Sequence, residues 1–102
     1  MKPQPPPHVR AAKLALRAAS KAAREARARW YTWREEYAKR PDTISMIAVG
    51  SLTTAMWTSE QTLEIEAANW RCVLSEREAL PVAERWDLAA LEKWAQKQGD
   101  ST

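Results

Sequence analysis

The sequence predicts an all-α protein, in which a long antiparallel helical hairpin and a shorter third helix form a three-helix bundle. Two long stretches carry apolar side chains at three- and four-residue spacing, the period of a helix with one buried face. Only two Gly occur in 102 residues, and four of the six Pro lie within residues 3–7. Because residues that break helices are rare beyond the N-terminus, the remaining chain is expected to form long helices.

The N-terminal residues 1–8 lack a backbone N–H donor at their four Pro. This composition predicts a flexible, polyproline-like tail ahead of one helical domain that covers residues 9–98. The first helix is expected over about residues 9–39 and is ended by Pro41. Its apolar seam consists of Val9, Ala12, Leu16, Ala19, Ala23, Ala26, Trp30, Trp33 and Tyr37.

The second helix is expected over about residues 43–79, with Asp42 or Thr43 as its N-cap. The β-branched segment 43–49 also fits a strand, although the chain offers no partner strand. The short turn at 40–42 makes the two helices antiparallel, so opposing residue numbers should sum to about 82. The predicted seam of this helix is Ser45, Val49, Leu52, Met56, Ser59, Leu63, Ala67, Trp70 and Leu74.

The third helix is expected over about residues 82–97, with Pro81 at its first position and Gly99 as its stop. This helix is too short to cover the turn end of the hairpin. The second helix also carries a second stripe without charge, which needs another surface to cover it. We therefore expect a homo-oligomer with coiled-coil-like contacts, and an oligomer or partner interface formed by Ile44, Ile47, Thr54, Trp57, Thr58 and Ile65.

Charge is distributed unevenly along the chain. Residues 1–40 contain eleven Lys or Arg and three Glu, a net charge of +8, whereas residues 41–102 contain five and ten, a net charge of −5. Six cations share one narrow sector of the first helix and are a candidate binding site for a nucleic-acid backbone or an acidic protein surface. They also fit a merely solvated helix face. These cations are Arg10, Lys13, Arg17, Lys21, Arg24 and Arg27.

The aromatic side chains beside these cations have two interpretations. Trp30, Tyr31 and Trp33 resemble base-stacking groups of single-stranded nucleic-acid binders. Trp30 and Trp33 also belong to the apolar seam, which favours the core for both rings. Tyr31 points away from the seam and is the freer ring.

Catalytic and metal-binding residues are scarce. The single His8 lies in the Pro-rich tail, so a Ser-His-Asp or Cys-His arrangement lacks a positioned base. One Cys72 and scattered carboxylates give no zinc or di-iron spacing. We expect no catalytic residues, no metal, no cofactor and no small-molecule substrate.

Location and partners are predicted from the same composition. The lone cysteine and the lack of a signal-peptide pattern indicate the cytoplasm. The uncharged residues 43–59 are too short and too rich in Ser and Thr for a membrane span. The sequence thus predicts a small non-enzymatic binding protein whose basic helix contacts nucleic acid. The alternative is a protein-protein inhibitor or adaptor, such as a phage or mobile-element protein that occludes a host target through the basic helix or the apolar hairpin tip.

Overall fold

Three α-helices and one short 3-10 helix make up the fold. The computed structural model describes residues 3–100, with only the backbone of Asp100 included. The helices are α1 (Pro7–Lys39), α2 (Thr43–Ala79) and α3 (Leu88–Asp100), and the 3-10 helix covers Val82–Glu84. No strand occurs within residues 3–100. The all-α prediction is therefore confirmed, and the alternative of a strand at residues 43–49 is wrong.

The start of α1 lies two residues before the predicted one. Pro7 begins the helix without losing a hydrogen bond, because the first N–H groups of a helix have no partner within it. The N–H groups of Val9 and Arg10 donate to the Pro6 carbonyl oxygen at 3.0 and 3.2 Å. The expected tail at residues 1–8 thus includes two helical residues, while residues 1 and 2 lie outside the described chain.

The start of α2 is fixed by an N-cap. The Oδ1 atom of Asp42 accepts a hydrogen bond from the Ser45 N–H at 2.7 Å, and the Ser45 hydroxyl lies 3.1 Å from Oδ2. This is the capping role that the sequence left open between Asp42 and Thr43. The Ser45 N–H bond, which is stronger to the charged carboxylate than to the neutral acid, lowers the pKa of Asp42.

The third helix begins later than predicted. After Pro81 the chain forms a single 3-10 turn, and α3 starts at Leu88 instead of residue 82. Asp87 is the N-cap, since its Oδ1 accepts from the N–H groups of Ala89 and Ala90 at 2.9 and 3.4 Å. Gly99 lies inside α3 and does not end it.

The residues group into two compact units. Met1–Ala18 and Ile65–Thr102 form what we call the terminal unit, and Ala19–Glu64 form the central unit. This grouping does not test whether residues 9–98 are a single domain, which stays a prediction. The terminal unit contains a closed apolar core, against which Trp70 and Trp94 pack. That core consists of Val9, Ala12, Val73, Trp86 and Leu91.

The central unit has little interior of its own. Ala19 and Ala23 are its only buried apolar residues, and both lie at one end of its α1 segment. From residue 24 to residue 64 no apolar side chain is buried, and Ser45 is the only buried residue. Trp33, which the sequence assigned to the core, is 39% exposed. The central unit therefore lacks the covering layer that α3 gives the terminal unit.

Candidate interaction surfaces

Lys13 is the most unexpected member of the predicted basic face. It is only 8% exposed, its ammonium group pairs with the Glu92 carboxylate of α3, and its Nζ lies 4.8 Å from the centroid of the Trp70 ring. The carboxylate neutralises the charge of the ammonium group, and the face of the ring attracts it. Lys13 is thus held inside the terminal unit and is not available to a phosphate backbone in this structure.

Two further cations of the basic face are also occupied within the terminal unit. The Arg10 guanidinium lies over the Trp94 ring at 5.0 Å, and its Nη2 donates to Gln4 Oε1 at 2.7 Å. Arg17 lies beside Gly99, where an added Cβ would be only 3.0 Å from Arg17 Nη2. The first half of the predicted basic face is therefore in large part a packing surface for α3 and for Trp70 of α2.

The second half of the predicted basic face lies in the central unit. Arg27 pairs with Glu60, and this hydrogen bond raises the pKa of the guanidinium. Lys21 and Arg24 are exposed. Of the six predicted cations, Lys21 and Arg24 are therefore the two that are exposed and have no described acidic partner.

The aromatic cluster near the end of α1 is partly engaged. Trp30 Nε1 donates to Thr53 Oγ1 at 2.8 Å, and the Arg34 guanidinium lies 4.9 Å from the centroid of its ring. The Tyr31 ring packs against it in a T-shaped pair with centroids 5.0 Å apart. The Trp30 ring is thus not free to stack on a base. Tyr31 is 53% exposed, in agreement with its predicted freedom.

One exposed face of α2 carries no charge. Its residues recur at three- and four-residue spacing, so they share one side of the helix. Ile44, Ile47 and Trp57 are 77, 61 and 63% exposed. We call it the uncharged face, and it comprises eight exposed residues of the central unit: Ile44, Ile47, Gly50, Ser51, Thr54, Trp57, Thr58 and Gln61.

Most of this face could be found from the sequence. Five of the six predicted interface residues belong to it, and the sixth, Ile65, is exposed in the terminal unit. Sequence reasoning did not include Gly50 among the interface residues. A Cβ placed there would meet nothing within 4 Å. Gly50 is therefore a notch in the uncharged face, two helical turns from Trp57.

Comparison with known proteins gives no relative to argue from: no family model, no curated protein and no solved structure matches the chain. Within residues 3–100, no group of three or more His, Cys, Asp or Glu side chains is arranged to hold a metal ion. None of the described helices is long and apolar enough to span a membrane.

Proposed function

We propose that this chain is a non-enzymatic protein-binding module and that its binding surface is the uncharged face of α2. The observation that carries the proposal is the exposure of three large apolar side chains on one charge-free helix side, in a unit without a buried core. Exposed apolar surface of this extent costs free energy in water and is characteristic of protein interfaces. The protein-partner alternative of the sequence analysis is therefore favoured over nucleic acid.

The proposal includes a helical hairpin that presents this face. Its support comes from contacts inside the central unit, where Trp30 hydrogen-bonds Thr53 and Arg27 pairs with Glu60. Residues further along α1 thus contact residues earlier in α2, as an antiparallel pair requires. The residue numbers of the first pair sum to nearly the value of about 82 that the turn predicts. The hairpin leaves the opposite side of α2 free for a partner.

Nucleic acid is the second candidate, and it depends on Lys21 and Arg24. Both are exposed, and Arg29 and Arg34 lie further along the same helix. Backbone phosphates are bound mainly through such cations, and the affinity falls steeply with salt. Since Arg10, Lys13 and Arg17 are engaged in packing, fewer phosphate contacts remain than the sequence suggested. A nucleic-acid complex would therefore have a lower affinity than a complex in which all six predicted cations contact phosphates.

Site-specific photo-crosslinking in the native host tests the two candidates. A photoreactive residue replacing Thr58 samples the uncharged face, one replacing Arg24 samples the basic face, and one replacing the exposed Ser75 of the terminal unit is the matched control. We expect covalent protein adducts from position 58 and none from position 75. Adducts containing nucleic acid from position 24 alone would favour the second candidate. Absence of any adduct from position 58 would overturn the proposed function.

A further inference from the structure

We infer that the occupant of the uncharged face is a second copy of this chain, packed antiparallel about a two-fold axis that passes close to Thr54. This inference rests on the proposed function and names its partner. An isologous contact places the same surface against itself, so charges at its centre would meet like charges. The uncharged face has no charged residue between Ile44 and Gln61, a length of about 26 Å.

The positions on this face are complementary to themselves about Thr54. A two-fold axis perpendicular to both helices reverses the sequence direction but keeps each residue on the same lateral edge of the contact. Trp57 and Gly50 lie on one edge, three residues after and four residues before Thr54. Each Trp57 ring would then lie over Gly50 of the partner copy, where the space above the backbone is open to at least 4 Å. Large against small is what close packing requires.

The other edge and the two ends of the face agree with the same axis. Ser51 and Thr58 lie on the opposite edge and would face each other across the contact, both small and polar. Ile47 would face Gln61. At the ends, Ile44 would face exposed Glu64 of the partner copy, and exposed Arg40 lies four residues before Ile44, within reach of that carboxylate. A parallel two-fold axis would instead place the edge with Trp57 and Gly50 against the partner's edge with Ser51 and Thr58, so the Trp57 ring would not meet the open space at Gly50.

The contact covers apolar side chains that one chain leaves exposed. Ile47 and Trp57, which are 61 and 63% exposed, would each lie against the second copy. Removal of these side chains from water would supply the free energy of association.

Sedimentation analysis tests the occupant directly. At micromolar concentration the full chain should sediment with twice the mass of 11.6 kDa. Trp57→Ala should raise the dimer dissociation constant by roughly 30-fold or more, as expected for a central aromatic anchor. Val82→Ala is the matched control, since Val82 is a similarly exposed apolar residue outside the face, at 73%. A monomeric full chain at about 100 µM, more than tenfold above a micromolar dissociation constant, would overturn the inference.

Disulfide formation tests the geometry independently of affinity. In a Cys72→Ser background, Thr54→Cys should form a cross-linked dimer under mild oxidation, because the axis brings the two copies of this position together. Ile47→Cys should not, because its copies lie about 20 Å apart along antiparallel helices. Cross-linking of both variants would indicate a parallel dimer, and cross-linking of neither would indicate a different face, so either result would overturn the inference.

The two proposals fail in different ways. If position 58 cross-links to a different protein while the purified chain stays monomeric, the proposed function stands and the second copy is excluded. If position 58 cross-links to nothing and the purified chain is monomeric, both proposals fail. If the Trp57→Ala variant dimerises as tightly as the unmodified chain, the protein self-associates, but not through the uncharged face.

Discussion

Lys13 and Trp70 form a cation–π contact of 4.8 Å inside the terminal unit, so a cation predicted to face a partner instead contributes to the interior. The contact is closed by the Glu92 carboxylate from α3. Lysine is suited to this role because its long apolar stem packs against aromatic surface while the charged end reaches a carboxylate. The basic character of α1 is therefore partly structural.

The first prediction concerns the charge of Lys13. Lys13→Met keeps an apolar side chain against Trp70. Glu92 is half exposed and stays hydrated without its partner, so the free energy of unfolding should change by less than about 1 kcal/mol. Lys13→Glu would place two carboxylates together in a poorly solvated position and should cost about 3 kcal/mol or more. Urea unfolding of both variants provides the comparison. Equal losses would contradict the packing role.

The second prediction concerns the core of the terminal unit. Trp86 is buried in the segment before α3, and its carbonyl oxygen accepts a hydrogen bond from Arg77 Nε at 2.9 Å. Trp86→Ala should reduce the free energy of unfolding by about 3 to 5 kcal/mol, because it removes a large ring from a closed core. Val82→Ala, at an exposed position of the same connection, should change it by less than about 0.5 kcal/mol. Thermal unfolding followed by circular dichroism measures both variants. A loss from Trp86→Ala as small as that from Val82→Ala would show that Trp86 is not part of a closed core.

The sequence predicted the helices and the buried side of α1 better than it predicted the role of the charges. Helical periodicity is local information, and Val9, Ala12, Ala19 and Ala23 are buried as that periodicity requires. Whether Lys13 faces water depends on which side of α1 receives α3, a non-local choice that periodicity does not contain. The acidic Glu92 on a short amphipathic helix was the available signal for that contact.

The start of α3 was mispredicted for a local reason. Pro81 suits the first position of a helix, but here it precedes a single 3-10 turn, Val82–Glu84, as its N-cap. Asp87 immediately before an apolar run is the stronger N-cap signal, and its side chain accepts two backbone hydrogen bonds. The uncharged face of α2 was predictable because it depends only on composition and spacing along one helix.

The third prediction concerns pH. The pKa of Asp42 is lowered, chiefly by the Ser45 N–H, so the folded state favours the charged carboxylate. The stabilising contribution is therefore complete above its ordinary pKa of 3.8 and is lost as pH falls through the lowered folded value. Asp42→Asn retains an N-cap that does not titrate. Between about pH 5 and pH 2.5 the melting temperature of the unmodified chain should fall further than that of Asp42→Asn. Parallel curves would exclude the cap as the titrating group.

The fourth prediction concerns the packing of the proposed hairpin. Ala23 is buried in the central unit, whereas its neighbour Ala22 is exposed. Ala23→Leu should overpack the contact with α2 and cost about 1 to 3 kcal/mol. Ala22→Leu has the same change in composition and helix propensity and should change the free energy of unfolding by less than about 0.5 kcal/mol. If the two variants unfold at the same urea concentration, α2 does not lie against Ala23.

The last prediction separates the helix propensity of Gly50 from its proposed place in a dimer. Nothing lies within 4 Å of a Cβ at this position, so within one chain Gly50→Ala should stabilise α2 by about 0.5 to 1 kcal/mol. In a Trp57→Ala background, where the proposed dimer contact is removed, this gain should appear in full. In the chain that retains Trp57 the new methyl group would lie under the partner's ring, so the gain should shrink or change sign at dimer-forming concentrations. Ala55→Gly, at an exposed position of the same helix outside the uncharged face, should lose about the same free energy in both backgrounds. Urea unfolding of this set, repeated at two protein concentrations, measures the coupling between positions 50 and 57. A gain from Gly50→Ala that is independent of Trp57 would show that the notch is not occupied by that ring.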